Sequence, residues 1–416
     1  MPSSHFILTP VGSAGDVHPY IGIGRELRRR GHDVTLLTGE PFRAAAGRAG
    51  LRFVSGWPAE DYEATTRHPD LWHPVRGLRL VLSAVADMLR QTYATLSQLY
   101  QPGRTILVGH TLSFATRTFE EKRGAPAATI HIAPGIIRSS YLGPAIGVGR
   151  NMASAPRWFR RAFWRLADRL VFDPMIVPAL NAWRSELGLP PVNRVFDSWL
   201  HSPQRTIGIF PDWFGPPQPD WPPQVRLTGF PLFDEADDHP LDPQLDEFLA
   251  AGEPPIVFTP GTANRQAPAF FEAAVGAAST LGRRALLLTR FPEQLLDDLP
   301  ATVKHVPYAP FSRTLPRCAA LVHHGGAGTC AQGLAAGIPQ LTMPMAFDQP
   351  DNAMRLHRLR VGTCLSPRKF TAKRVARALS SLLESRETAS ACRQYAERTR
   401  SVDAVALTCD LLEELG

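Results

Sequence analysis

Between residues 319 and 336 the chain passes from an apolar tetrad, Ala319-Ala320-Leu321-Val322, through His323-His324-Gly325-Gly326-Ala327-Gly328-Thr329 into helix-forming residues. No other stretch restricts the possible folds as much. A strand that turns through glycines into a helix leaves several backbone N–H groups unpaired. The helix dipole adds about half a positive charge at that point, so a phosphate is the natural occupant. A second apolar run, 340–345, is followed closely by Asp348 and Gln349. A carboxylate beside an amide suits hydroxyl groups, which both donate and accept. A phosphate site next to a hydroxyl site points to a nucleotide sugar.

The same strand–turn–helix grammar recurs along the chain. Residues 5–11 read as a strand that breaks at Gly12-Ser13-Ala14-Gly15-Asp16. A helix over 20–30 follows, with Pro19 just before it and Gly31 as its stop. Further strands are expected at 33–38, 51–54, 105–109, 206–210 and 225–227, with helices at 41–49 and 76–100. Residues 141–149 read as a loop. Residues 234–243 are acidic, Pro-containing and without hydrophobic period, which marks a linker. A second series then begins, with strands at 256–259, 285–288, 303–306 and 319–322 and helices at 268–281 and 371–383. Such alternation predicts parallel, doubly wound sheets, and 416 residues exceed what one core ordinarily holds. The expected fold is α/β: two facing doubly wound, Rossmann-like parallel-sheet domains with a cleft between them. An N-terminal acceptor-binding domain would span 1–233, a linker 234–250, and a C-terminal nucleotide-sugar-binding domain 251–395. A helical segment, 396–416, would pack back on the N-terminal domain.

Composition narrows the partners. A formal charge of +7 and a pI near 9.4 suit nucleic acid, a membrane surface or an anionic small ligand. Without a Lys/Arg tract or zinc-finger spacing, nucleic acid is not expected. The cysteines (Cys318, Cys330, Cys364, Cys392, Cys409) form no CxxC pair, so free thiols in a reducing cytoplasm are expected. The first residues lack the pattern of a secretory leader, and no run approaches the ~20 apolar residues of a membrane span. Over 156–170, Trp158, Phe159, Ala162, Phe163, Leu166 and Leu170 fall on one helical face, with arginines mainly opposite. The favoured expectation is a helix with its apolar face on the core and its arginines in solvent. The other is a helix lying on an anionic membrane, which would place the protein peripherally at the membrane's inner face.

The whole chain resembles the GT-B glycosyltransferases of family 1. The resemblance rests on Gly12-Ser13-Ala14-Gly15-Asp16-Val17-His18-Pro19, on Val322-His323-His324-Gly325-Gly326-Ala327-Gly328-Thr329, and on Asp348-Gln349. Within that group the chain is most similar to rhamnolipid-type rhamnosyltransferases, which add rhamnose to a hydroxyalkanoyl lipid acid. That finer likeness is carried by Pro69-Asp70-Leu71-Trp72, His201-Ser202-Pro203-Gln204, Trp213-Phe214, Pro217-Gln218, Asp220-Trp221-Pro222 and Thr228-Gly229-Phe230-Pro231-Leu232-Phe233-Asp234.

The resemblance implies roles for particular residues. His324 would contact the donor pyrophosphate, Gly326, Gly328 and Thr329 would cradle it, and the Thr262 hydroxyl would reach the same phosphates. Tyr308 would stack on the base, with the Ala309 backbone reading it, and Asp348 and Gln349 would hold sugar hydroxyls. Gln332 stands where many relatives carry a glutamate that binds both ribose hydroxyls. A neutral amide gives up that bidentate acceptor, which favours a dTDP-sugar over a UDP-sugar. Asp16 occupies the position of the base that deprotonates the acceptor, and a helix start next to it favours its anion. His18 is the second candidate. His110 stands where plant relatives carry the aspartate that orients their histidine, so the pair would be exchanged here; helix capping or pocket lining is the alternative. The expected activity is inverting, metal-independent transfer with no cofactor beyond the nucleotide-sugar donor. Rhamnose from dTDP-rhamnose would pass to a hydroxyl of a hydrophobic, lipid-like small-molecule acceptor. An aromatic polyphenol, macrolide or sterol is the alternative acceptor, and a nucleotide-sugar epimerase a more distant reading.

Overall fold

In the computed structural model, which describes residues 3–143, 152, 154–237 and 240–416, every paired strand lies in one of two parallel sheets. The first sheet contains β1 (His5–Thr9), β2 (Asp33–Gly39), β3 (Arg52–Trp57), β4 (Thr105–His110), β5 (Ala127–His131), β6 (Arg205–Gly208) and β7 (Val225–Leu227), in the order β3-β2-β1-β4-β5-β6-β7. Its helices are α1 (Ala14–Arg29), α2 (Arg43–Arg48), α3 (Ala59–Arg67), α4 (Arg76–Leu99), α5 (Phe114–Arg123), α6 (Arg157–Ala167) and α7 (Asp173–Glu186). The second sheet contains β8 (Ile256–Thr259), β9 (Ala285–Leu288), β10 (Val303–Val306), β11 (Ala320–His323), β12 (Gln340–Thr342) and β13 (Gly362–Cys364), in the order β10-β9-β8-β11-β12-β13. Helices α8 (Pro243–Ala250), α9 (Pro268–Leu281), α10 (Phe311–Thr314), α11 (Ala327–Ala336), α12 (Gln349–Arg358), α13 (Ala372–Glu384) and α14 (Arg386–Arg400) accompany it. The last helix, α15 (Ala404–Glu413), belongs with the first sheet.

A parallel sheet buried on both faces needs apolar residues at consecutive positions, and the strands supply them. In β8, Ile256 and Phe258 enter a cluster with Phe271, Leu287 and Val322, whereas Val257 packs on the other face with Leu286, Leu321 and Val306. In the first sheet Ile7, Leu37 and Leu107 pack with Phe119 and Leu96. The chain divides into two units, one of 3–143, 152, 154–231 and Asp403–Gly416, the other Leu232–Val402. Within the first, α15 is fixed by Arg30 Nη1 donating to Asp410 at 2.6 Å and Glu413 at 2.7 Å, and by Thr408 donating to Thr228 at 2.8 Å.

Four features differ from expectation. Helix α1 begins at Ala14, not residue 20, because Asp16 accepts hydrogen bonds from Ser13 and starts the helix early; Pro19 is therefore inside it. Part of the expected linker is helix α8, with Pro243 in its first turn and the Asp242 carboxylate accepting the Leu245 N–H at 3.1 Å. Strands β5 and β13 were not anticipated; β13 is only Gly362-Thr363-Cys364, too short to show a period. Helix α6 meets the favoured expectation only in part: Arg157, Arg161 and Arg165 are exposed as expected, but Arg160 is buried and Trp158, Phe159 and Leu166 are exposed, and the turn that follows, 168–172, buries Asp168 and exposes Leu170. The loop expected over 141–149 lies, from 144 on, outside the described residues, as do 238 and 239 of the linker.

Candidate active site

Ligands of open parallel sheets bind beyond the carboxyl ends of the strands, where the strand order reverses. In the first sheet that point falls between β1 and β4. Asp16 follows β1, and His110 is the last residue of β4. In the second sheet it falls between β8 and β11. Gly261 and Thr262 follow β8, and His324 follows β11. Each sheet thus carries its sequence-marked polar residues at its own reversal point.

At the first point, Asp16 sits in the opening turn of α1 and its Oδ2 accepts the Ser13 N–H at 2.7 Å and the Ser13 hydroxyl at 3.1 Å. Gly12, at φ +138°, makes room: a Cβ there would lie 2.2 Å from Asp16 Oδ2. On the other side, His110 Nε2 lies 3.7 Å from Asp16 Oδ1, with His110 5% and Asp16 21% exposed. The Leu112 N–H donates to His110 Nδ1 at 3.3 Å, so the ring's own proton is on Nε2, facing the carboxylate. Burial lowers the His110 pKa to about 3, which keeps the ring neutral. Nε2 has no hydrogen-bond partner, and 3.7 Å is longer than a hydrogen bond. The Tyr20 phenol closes the floor, donating to Gly109 O at 3.2 Å, its pKa raised first by burial and then by the Asp16 charge. His18 is two residues from Asp16 on α1, a spacing that puts the two side chains on different faces.

At the second point, the His324 imidazole lies against two glycines. A Cβ on Gly261 would come within 2.8 Å of its Cε1, and one on Gly326 within 2.5 Å of its Nε2. Burial lowers the His324 pKa to about 4, so the imidazole is neutral. The turn beneath is fixed by the preceding histidine: the Gly325 N–H donates to His323 Nδ1 at 3.1 Å, and His323 Nε2 pairs with Gln340 Oε1 at 2.9 Å. Gln340 passes the link on to Cys330 O at 3.2 Å, and Gly333 leaves room for its amide. Asp348, at the start of α12, accepts the Asn352 amide at 2.7 Å and the Ala327 N–H. Burial raises its pKa to about 6 against those two hydrogen bonds. Gln349 Oε1 accepts the Met345 N–H at 2.8 Å and the Ala346 N–H at 3.2 Å, which holds the β12–α12 turn. Asn352 also donates to Gly325 O at 3.0 Å, tying α12 to the glycine turn.

These contacts gather Gly261, His324, Gly326, Asp348 and Gln349. Gly328, Thr329 and the buried Gln332 continue along α11, and Thr262 is exposed beside Gly261. Tyr308 stands apart, after β10; its hydroxyl donates to Asp234 O at 2.5 Å and the Arg290 guanidinium lies 5.6 Å from its ring centre. Sequence reasoning gave no role to Gly12, Ser13, His323, Gln340 or Asn352. Gly12, Ser13 and His323 lie inside the motifs that carry the resemblance, which was the signal for them, whereas Gln340 and Asn352 act on His323 and Gly325, 17 and 27 residues away. Among the described residues, no group of three or more His, Cys, Asp or Glu gathers as a metal site requires. The motif His201-Ser202-Pro203-Gln204 is framework: His201 pairs with His131 at 2.9 Å, and Ser202 and Gln204 both donate to Glu120, at 2.7 and 3.1 Å.

Comparisons with known proteins bear on the family and the fold. Residues 6–137 match the glycosyltransferase family 28 N-terminal domain, and residues 286–409 match the erythromycin biosynthesis protein CIII-like C-terminal domain. The chain is 31% identical to O-mycaminosyltylonolide 6-deoxyallosyltransferase of Streptomyces fradiae, over 98% of this chain and 96% of that one. Among solved structures it resembles the glycosyltransferase of kitacinnamycin, with a TM-score of 0.76 at 21% identity and all of both chains covered. It also resembles the glycosyltransferase VinC in complex with dTDP, with a TM-score of 0.67 at 19% identity and 99% of each chain covered. The chain therefore belongs to the GT-B glycosyltransferases, with a family 28 N-terminal domain and an erythromycin CIII-like C-terminal domain, and resembles those that act on macrolides and antibiotics.

Proposed function

We propose that this glycosyltransferase moves a 6-deoxyhexose, rhamnose being the first to test, from a dTDP-activated donor to a hydroxyl of a hydrophobic small molecule, with inversion. The observation that carries the chemistry is the Asp16–His110 pair. An alcohol is a poor nucleophile near neutral pH, and a base that takes its proton as the bond forms typically accelerates the step by about 10²–10⁴-fold. Asp16 takes the acceptor's proton while the acceptor oxygen bonds to the anomeric carbon and the bond from that carbon to the diphosphate oxygen breaks. His110, a neutral donor facing the same carboxylate, orients it. The negative charge left on the diphosphate is met by a neutral N–H of His324 and the first N–H groups of α11.

The dTDP reading is supported by Gln332, a neutral amide on α11 where many relatives carry the ribose-binding glutamate. The dTDP bound to VinC agrees with it. For the acceptor, the Streptomyces fradiae relative acts on O-mycaminosyltylonolide, so a macrolide or related polyketide is the first choice. The second reading, a hydroxyalkanoyl lipid acid, rests on the rhamnolipid-like segments, of which His201 to Gln204 are occupied with internal hydrogen bonds.

The test has two steps. The melting temperature is measured with dTDP, UDP and GDP, since a ligand that binds only the folded state raises it. The preferred sugar nucleotide is then incubated with a macrolide aglycone and, separately, with a 3-hydroxyalkanoyl acid, and the products are weighed by mass spectrometry. Expected are stabilisation by dTDP above UDP and a macrolide heavier by one deoxyhexosyl group. Stabilisation by GDP alone overturns the donor; a rearranged donor with no glycosylated acceptor overturns the transfer.

A further inference from the structure

Helix α6 and the turn that continues it, 168–172, turn part of their apolar surface outward. Arg160 and Asp168 face the protein, where Arg160 Nη1 donates to Tyr141 O at 2.9 Å and Asp168 pairs with Arg138. Trp164 packs beneath the Arg138 guanidinium, 4.4 Å from its ring centre. The side turned outward carries two adjacent rows of four-residue spacing. One is Arg157, Arg161, Arg165 and Arg169; the other is Trp158, Ala162, Leu166 and Leu170. Trp158 is 70% exposed, Leu170 63%, Leu166 56% and Phe159 45%. Residues 157–170 contain one acidic residue, Asp168, and it is buried. Arg157, Arg161, Arg165 and Arg169 lie side by side with Trp158, Ala162 and Leu166 on one open surface.

Exposed aromatic and leucine side chains lose free energy in water, at about 25 cal/mol per Å² of apolar surface, so something covers this face when the protein works. The four arginines choose among the occupants. A second copy would set arginine against arginine across a two-fold axis, and a neutral small molecule has no use for four guanidinium groups. An anionic bilayer surface satisfies both rows at once. Its headgroups take the arginines, and the headgroup–acyl boundary takes the Trp, Phe and Leu side chains. No helix among the described residues is long and apolar enough to cross a membrane, so contact through α6 would be peripheral. We propose that the outer face of α6 docks the protein on anionic lipid surfaces. A hydrophobic acceptor dissolved in the bilayer would then be met at its source.

The test uses the full chain with sedimented vesicles of phosphatidylcholine alone or with about 30–40% phosphatidylglycerol, a composition on the order needed for a strong surface potential. The wild type is expected to co-sediment with the anionic vesicles only, and less so at high salt. Arg161→Gln/Arg165→Gln should weaken binding by about fivefold per arginine, and Trp158→Ser/Leu166→Ser by at least about tenfold. Both variants change exposed residues, so an unchanged melting temperature verifies folding, and donor hydrolysis without vesicles should stay at the wild-type rate. No binding to anionic vesicles, or binding that neither variant weakens, overturns the proposal. So does a rise in acceptor KM without vesicles, which would make the face an acceptor site, or a change of mass in solution, which would make it an interface between copies.

Discussion

The two reversal points are built alike and charged differently. Each is a strand, a glycine turn and a helix start, with a histidine and a carboxylate within reach of the turn. At β1–α1 the carboxylate is partly open to solvent and fixed by donors from Ser13, and the histidine is buried behind it. At β11–α11 the histidine lies over the glycines, and the carboxylate is turned toward the helix start and Asn352. One site presents an anion that can take a proton. The other presents neutral donors and a helix N-terminus, which can take an anion. In the proposed function, two copies of one folding device would serve as base and as leaving-group support by exchanging which residue is forward.

The sharpest way to break the comparison is to neutralise the forward group at the first point. Asp16→Asn keeps the shape and a hydrogen-bond acceptor for Ser13 but cannot accept the acceptor's proton. Turnover should slow by a factor of about 10²–10⁴, with donor KM within about twofold of the wild type. Activity within about tenfold of wild type would reduce Asp16 to a helix cap. Next comes the residue behind it. His110→Ala and His110→Asn should each slow turnover more than about tenfold, roughly 1.4 kcal/mol, and alter its pH dependence. A smaller loss in both, with an unaltered pH profile, would leave His110 a structural residue of β4.

At the second point the corresponding intrusion is steric. Gly326→Ala puts a methyl 2.5 Å from His324 Nε2, so the imidazole must move. If the displaced group holds the diphosphate, as proposed, donor KM should rise about tenfold, with turnover changed less. Titration of the variant with dTDP by calorimetry checks this directly. Equal affinity in variant and wild type would mean that His324 does not touch the donor.

How far these sites could be read in advance follows from the range of the interactions. The turn at Gly325 to Thr329 is local, a run of residues whose backbone needs are set by their neighbours, and it stood out in the sequence. So did β8, β9 and β10, continuous apolar runs between breakers. Gly12 is different: its need for a bare Cα comes from Asp16 folding back over it. Gly261 needs a bare Cα because of an imidazole more than sixty residues away. The His110–Asp16 approach depends on β1 and β4 being neighbours, which resemblance suggested and no spacing could. In α6 the period gave two faces but not which one turned inward. The arginines other than Arg160 do face solvent, but hydrophobicity could not show that Arg138 and the Tyr141 carbonyl on the protein side take Asp168 and Arg160 and leave part of the apolar face outside.

The smallest effect concerns three buried groups at the second point, two histidines and a carboxyl, whose pKa shifts act on stability in opposite directions. His324 is held at about 4 and His323 at about 3, against 6.5 for a free imidazole. The unfolded chain therefore takes up those protons first, and stability falls as pH drops from 6.5 toward 4. Asp348 is raised from 3.8 to about 6. The folded chain binds that proton more tightly, so its contribution is full below pH 3.8 and is lost as pH rises through 6. Near neutral pH the wild type carries the cost of a charged, desolvated carboxylate, on the order of 1–3 kcal/mol. Asp348→Asn removes the charge while its amide oxygen still accepts from Asn352 and Ala327. The variant should melt higher at about pH 7.5, by about 2–4 °C per kcal/mol, with the gain vanishing near pH 4, where the wild-type carboxyl is already protonated. Calorimetric scans between those limits separate this from a packing effect, which would shift both ends equally. A gain confined to neutral pH, together with lost transfer, would mean that the second point keeps a carboxylate for the sugar at the expense of its own stability, as the first keeps one for the acceptor.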